Sequence, residues 1–427
     1  MNNCLILLTN YYPFHKGEEY LESEIEFLSE EFKDIIILVT MKSPNMKQTR
    51  KVPKNCKIIS SNLYFNPIGK AKMFFKHMNK VSHNKNLFNG KENFAQRLYA
   101  KYFEARSIEV YNSFEKQLKN IAFEKYSSIT IYSYWLYITA NVAIKLRENL
   151  LKNVNNVKTI SRAHRYDLYE DAAPLKYLPQ RNFLLSKLDH IFPCSQDGVD
   201  YINKTNPGFE KKVEVRRLGT MPRKVSEKKG IEMLNIVTCS VMRKVKRLDL
   251  LIDALKILQD EGIKFHWTHI GGGSEFKKIS KLAKKKLDSN NYYFTGQLKN
   301  EEVLEWYQKN PATVFVNVSS SEGVPVSIME AMSMGLPVIA TDVGGTREIL
   351  KNGVSGFLLK SNPLAEEISN VLRKFYQLTY EEYSSMCKNS YMLWNKNCNA
   401  VKLYTEFAAE ISGHNYKNKK LYNRLSE

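Results

Sequence analysis

Residues 319–345 read SSSEGVPVSIMEAMSMGLPVIATDVGG, with Glu322 and Glu330 eight positions apart. The run before it, TVFVNV (313–318), has the β-branched pattern of a buried strand. Pro325 suits the first turn of a helix that continues through Ser327, Glu330 and Met334 and stops at Gly335, with Pro337 just beyond. PVIATD (337–342) then reads as the next strand. Strand, loop, helix and strand in this order form a unit of a parallel α/β sheet. The turn Gly323, Val324, Pro325, Val326, Ser327 places a helix N-terminus just past a strand's carboxyl end. Free N–H groups and the helix dipole favour an anion there, such as a diphosphate.

The spacing of the two carboxylates admits two readings. At ~1.5 Å per residue, eight helical residues span ~12 Å, comparable to a nucleotide-sugar. One carboxylate then holds ribose hydroxyls and the other holds sugar hydroxyls. In the second reading Glu330 pairs with a buried Lys or Arg, and Glu322 is an exposed loop residue.

The α/β rhythm extends in both directions. CLILLT (4–9), IIILVT (35–40), SITIYSYW (128–135), VKTISRAH (157–164) and HIFPCS (190–195) read as strands between amphipathic stretches. After a polar, basic segment, MPRKVSEKKG (221–230), the rhythm restarts with LNIVTCS (234–240), a helix near 246–260, WTHIGG (267–272) and YYFTGQ (292–297). We expect two doubly wound Rossmann-like α/β domains facing a cleft, with ligands beyond the carboxyl ends of the strands. The expected limits are 1–222, with a basic insertion at about 62–126, then 231–395. A C-terminal helix and tail at 396–427 is expected to pack back on the first domain.

A chain of 427 residues with 43% hydrophobic and 12% aromatic residues exceeds one ordinary core and is not a disordered composition. Its 64 basic and 44 acidic residues give +20, which favours a polyanionic partner. Six scattered cysteines read as reduced thiols. With no basic region before the first apolar run and no stretch of 18 apolar residues, the expected location is cytoplasmic, or peripheral on the inner face of the cell membrane. Residues 62–91 hold six lysines, no Asp or Glu, and Phe65, Phe74, Phe75 and Phe88. They read either as a solvated helical insertion or as a patch for an anionic membrane surface.

EGVPVSIMEAMSMGLPVIATDVGGTREIL (322–350), followed by NGVSGFLL (352–359), resembles the donor site of family 4 glycosyltransferases, retaining nucleotide-sugar enzymes of the GT-B fold. The resemblance rests on Glu-x7-Glu, the Ala-Met-x-x-Gly-x-Pro-Val continuation, Gly-Gly-x-x-Glu at 344–348, and Gly356. CSVMRKVKRLDLLIDAL (239–255) resembles the family's phosphate-binding strand–loop–helix. Lys246 matches the family lysine; the usual arginine would fall on Val241, so Arg243 is a substitute, and Arg247 stands where many members have Gly. HIGGGSEF (269–276) with Gly272, and TGQL (295–298) with Leu298, resemble the glycine turn and the segment beside the nucleotide base. In the first half, TNYYPFHKGEEYLESEI (9–25) resembles the glycine loop, with Gly17 as its one glycine, and ISRAHRYDLY (160–169) places His164 at the family histidine.

The resemblance implies a hexosyl- or related glycosyltransferase of the bacterial polysaccharide type (capsule, O-antigen or exopolysaccharide) moving a sugar from a nucleoside-diphosphate donor to a lipid-linked or glycan acceptor. It implies His164 and Glu322 at the reacting sugar, Glu330 on the ribose, and Lys246 and Arg243 on the diphosphate. No Asp-x-Asp triplet occurs, so neither metal nor cofactor is expected. A GT-B-fold epimerase or sugar phosphorylase is the alternative. A non-enzymatic polyanion binder leaves the glutamates and glycines unexplained, and no nucleic-acid motif is present.

Overall fold

The strand-like runs form two six-stranded parallel sheets in a computed structural model that describes residues 2–14, 17–43, 45–61, 63, 66–88, 90–223, 230–310 and 312–414. They belong to two units, one comprising Met1–Leu218 with the chain from Lys402, the other Gly219–Val401. Phe65 and most of the basic segment after Arg223 lie outside the described residues.

The N-terminal unit contains β1 (Asn3–Thr9), α1 (Leu21–Glu31), β2 (Asp34–Val39), β3 (Cys56–Ser60), α2 (Pro67–Ser82) and α3 (Phe94–Leu118). It continues with β4 (Ser128–Ser133), α4 (Ile138–Lys145), β5 (Val157–Ala163), α5 (Arg181–Lys187), β6 (His190–Pro193) and α6 (Gln196–Thr205). The sheet order is β3-β2-β1-β4-β5-β6. Every residue of β1 is buried, as expected of a central strand covered on both faces. The insertion is a helical hairpin, α2 and α3, with its own small apolar cluster around Met73, Val81 and Ile108. Phe74 and Phe88 are partly buried against that cluster, whereas Phe75 is 72% exposed.

In the C-terminal unit the order of elements is β7 (Leu234–Cys239), α7 (Leu248–Asp260), β8 (Phe265–Ile270), α8 (Phe276–Lys286), β9 (Tyr292–Gly296) and α9 (Asn300–Lys309). Then come β10 (Val314–Asn317), α10 (Val326–Ser333), β11 (Val338–Thr341), α11 (Thr346–Ile349), β12 (Gly356–Leu359), α12 (Ala365–Tyr376) and α13 (Tyr380–Asn397). The sheet order is β12-β11-β10-β7-β8-β9. A last helix, α14 (Ala400–Ser412), carries Phe407 over the Arg162 guanidinium at 4.3 Å in the N-terminal unit. Arg162 is fully buried there, bonded to Glu24 and to the Tyr132 hydroxyl.

α10 starts one residue later than expected. Pro325 has an extended ψ of 115° and is the N-cap, its carbonyl accepting from Ile328 and Met329. The predicted stop is present. Leu336 N–H reaches the Ala331 carbonyl and Gly335 N–H the Met332 carbonyl, the paired closing bonds of a Schellman motif.

Both sheets reverse their order at one place. In the C-terminal unit β7 and β10 are neighbours (Ile236 opposite Val314), and their connections leave in opposite directions. Such a switch point leaves a crevice at the carboxyl ends. The N-terminal unit has the same arrangement between β1 and β4.

Candidate functional site

At the C-terminal unit's switch point, Lys246 from the β7–α7 loop meets Glu322 from the β10–α10 loop. Lys246 Nζ donates to Glu322 Oε1 at 2.7 Å, and Asn317 Nδ2 donates to the same oxygen at 3.2 Å. Glu322 is therefore not the free loop residue of the second reading; its side chain is only 12% exposed. The loop is held from below by Ser320 N–H to the Val245 carbonyl and by Gly345 N–H to the Gly323 carbonyl. A Cβ on Gly344 would stand 2.1 Å from the Glu322 carbonyl oxygen, so the glycine there is a requirement of close approach.

Glu330 lies inside α10 and is buried. Its Oε1 accepts from Asn300 Nδ2 at 2.7 Å. Burial raises its pKa, opposed by the Asn300 bond and by the charge of Arg223. Among the described residues no buried Lys or Arg is bonded to it as the second reading has it; an amide is its bonded partner. Cys239, at the end of β7, has its thiol pushed up to about 12 by burial, with Glu330 adding to the shift and Lys246 opposing it. Glu322, Lys246 and Glu330 thus belong to one electrostatic neighbourhood. Leu298, half-buried, precedes Asn300 on the β9–α9 connection and belongs to the same side. Asn300 and Asn317 were not singled out from sequence.

Arg243 is exposed and borders Met242, Asp249 and Glu275. Among the described residues its side chain makes no hydrogen bond or ion pair with Lys246 or Glu322. The Gly272 carbonyl accepts from Met242 N–H at 2.7 Å, but its neighbour Gly271 carries the steric demand. A Cβ there would lie 2.0 Å from the Ser240 carbonyl oxygen.

In the N-terminal unit, His164 follows β5 between Tyr134 and Trp135, with ring centroids 4.7 and 4.5 Å away. Nε2 donates to the Tyr134 carbonyl at 3.0 Å, and Nδ1 faces Cys194 Sγ at 3.4 Å. Burial, helped by the Arg162 charge, lowers its pKa to about 3, so the ring is neutral at ordinary pH. Asp167 accepts from the backbone N–H groups of His164 and Leu136. Burial holds its pKa up at about 7.

Gly17 has a φ of +115° in the β1–α1 loop. Glu18, which sequence reasoning passed over, is the loop's anchor. Its carboxylate accepts from the N–H groups of Asn10, Tyr11 and Tyr12 and from the Trp135 indole. An internal carboxylate therefore fills the amide nest of this loop and holds the ring that lies tilted against His164.

Residues 223–392 match the family model of the glycosyl transferases group 1. The putative colanic acid biosynthesis glycosyltransferase WcaL of Escherichia coli K12 is 26% identical over 257 residues, 58% of this chain. The chain spans 62% of that relative's length. Among solved structures, the apo form of the lipopolysaccharide outer core galactosyltransferase WaaB aligns with a TM-score of 0.67 at 15% identity, covering 96% of this chain and 99% of WaaB. Anabaena Alr3699/HepE, solved with UDP and glucose, aligns with a TM-score of 0.65 at 13% identity, covering 96% and 99%. The chain therefore has the two-domain Rossmann-like GT-B fold, and its segment 223–392 is similar to the group 1 glycosyl transferases.

Proposed function

We propose that the protein transfers a sugar from a nucleoside-diphosphate donor to an acceptor hydroxyl, with retention at the anomeric carbon, in the assembly of a surface polysaccharide. The observation that carries this reading is the meeting of Lys246 and Glu322 at the switch point, beside the N-terminus of α10, which bears Glu330. Departure of a diphosphate needs fixed positive potential where charge develops. Lys246 and the N–H groups at the start of α10 supply it without a metal, and Arg243 adds a more distant charge. Glu322 takes the donor sugar's hydroxyls and Glu330 the ribose hydroxyls. His164, neutral and with both ring nitrogens engaged, is assigned to the transferred sugar as a hydrogen-bonding and packing surface rather than as a proton carrier.

The colanic acid relative and the UDP-bound neighbour support the donor class and the pathway. The acceptor is a lipid-linked or glycan hydroxyl, reached from the membrane face by the exposed side of α2. Thermal shift against a panel of nucleoside diphosphates and their sugars tests the donor, because a ligand of the folded state raises its apparent stability. A panel in which none shifts the melting temperature sinks the reading. Product analysis with the donor so found separates transfer from epimerisation and phosphorolysis.

A further inference from the structure

Arg247, directly after Lys246, has a φ of +48°, the left-handed region that favours glycine. The chain carries there a long side chain, and its guanidinium makes four hydrogen bonds. Nε donates to the Val318 carbonyl at 2.6 Å and Nη2 to the Ser319 carbonyl at 3.0 Å. On the far side, Nη2 also donates to the Ser361 carbonyl at 2.9 Å and Nη1 to Asn362 Oδ1 at 3.1 Å. Val318 and Ser319 open the loop that carries Glu322; Ser361 and Asn362 follow β12. β11 separates β10 from β12 in the sheet, so one side chain spans the carboxyl edge from β7 across to β12.

We propose that Arg247 is a positioning residue for the donor site: it locks the β10–α10 loop in register with Lys246, so that Glu322 and the start of α10 are preset. This rests on the donor reading above. The two adjacent cations divide the work. Lys246 grips the Glu322 carboxylate, a contact that a diphosphate and sugar hydroxyls would replace. Arg247 grips main-chain carbonyls of the same loop, which no donor group would displace. When the first grip opens, the second keeps the loop in place. Preorganisation of this kind acts on affinity and rate through the ordering that binding no longer has to do.

The test compares Arg247→Gly and Arg247→Lys with the wild-type full chain. Glycine relieves the left-handed backbone while removing the lock. Lysine keeps the backbone demand and the charge, but a single ammonium cannot reproduce a planar four-bond fork. Amide hydrogen exchange over 318–325 should speed up at least about tenfold in both variants, the signature of local opening. Arg247→Lys should melt below Arg247→Gly, an inverted order that a simple charge role would not give. With the tightest nucleotide-sugar from the panel, kcat/KM for the donor should fall at least about tenfold while the acceptor KM stays unchanged. Exchange and donor kinetics at wild-type values in either folded variant overturn the proposal. If Arg247→Gly does not fold, Arg247→Lys alone decides it. If no nucleotide-sugar binds wild type, the donor reading fails, and exchange over 318–325 still decides whether the lock exists.

Discussion

Lys246 Nζ lies 2.7 Å from Glu322 Oε1, so a cation and a carboxylate assigned to different parts of one donor satisfy each other across the switch point of the sheet. Binding would exchange one charge-assisted contact for two, with the diphosphate taking the lysine and sugar hydroxyls taking the carboxylate. The pair also explains why neither charge is left exposed on its own in a crevice.

Removing either partner should therefore cut transfer while leaving the fold intact. A hydrogen bond to a charged group is worth ~1.5–3 kcal/mol, so Glu322→Ala and Lys246→Ala should each lose more than tenfold in kcat/KM. Because they face each other, the double variant should lose less than the sum of the singles by at least about 0.5 kcal/mol. Steady-state kinetics of the four proteins closes the cycle; additive losses would mean that the pair does not act on one ligand.

Glu330 gives a pH-dependent prediction. Burial raises its pKa, so it takes up a proton at a higher pH than an ordinary glutamate. A ribose held by the carboxylate is held best above that raised value, and donor affinity should decline as pH falls through it. Glu330→Gln should bind the nucleoside diphosphate more weakly at neutral pH, and its affinity should be flat where the wild type declines. Calorimetric titrations at pH 7.5 and 5.5 check this. The linkage to stability has the opposite sign. A carboxylate whose folded pKa is raised stabilises the fold below its unfolded value and loses that contribution as pH climbs through the folded one.

Most strands were legible because buried parallel strands are nearly continuous apolar runs, and β1, buried along its whole length, is the extreme case. β3, CKIIS, was missed: it is a short edge strand, only partly buried, without that signature. Glu322, Lys246 and Glu330 were marked by local motif spacing. Glu18, Asn300 and the role of Arg247 were not, because each depends on which loops meet at a sheet's carboxyl edge. Glu18 reads in sequence as half of an acidic pair on a loop, yet it bonds an indole 117 positions away. Arg243 was marked as the motif's substitute cation; it caps the short turn Lys244–Lys246, its carbonyl accepting from Lys246 N–H at 2.9 Å, with its side chain exposed.

Donor cleavage should survive exhaustive chelation. Lys246 and the α10 N-terminus are assigned the charge that a divalent ion supplies in other transferases. Turnover measured with and without excess EDTA, after passage over a chelating resin, is the check. A strict need for magnesium or manganese would remove the basis for assigning Lys246 to the leaving group.

The outer face of α2 should hold the protein on an anionic lipid surface. Ile68 and Phe75, 67% and 72% exposed, are seven residues apart and share one side of the helix. Lys72 lies between them, and Lys70, Lys76 and Lys80 are also exposed. Of these, Lys76 is paired with Glu109 of α3. Each lysine near such a surface contributes ~1 kcal/mol, an effect that fades beyond ~8 Å in physiological salt. Three lysines with no ion-pair partner among the described residues and two apolar side chains should give reversible binding, as the proposed lipid-linked acceptor would require. Cosedimentation with phosphatidylglycerol-containing vesicles should weaken with salt. It should fall further in Lys70→Glu/Lys72→Glu/Lys80→Glu, which spares the Lys76–Glu109 pair and hence the packing of α2 on α3. Ile68→Ser/Phe75→Ser should lower binding at all salt concentrations, since apolar insertion is not screened. Donor hydrolysis in solution should be unchanged in both variants. Equal sedimentation of wild type and the lysine variant at low salt would leave α2 as a solvated helix.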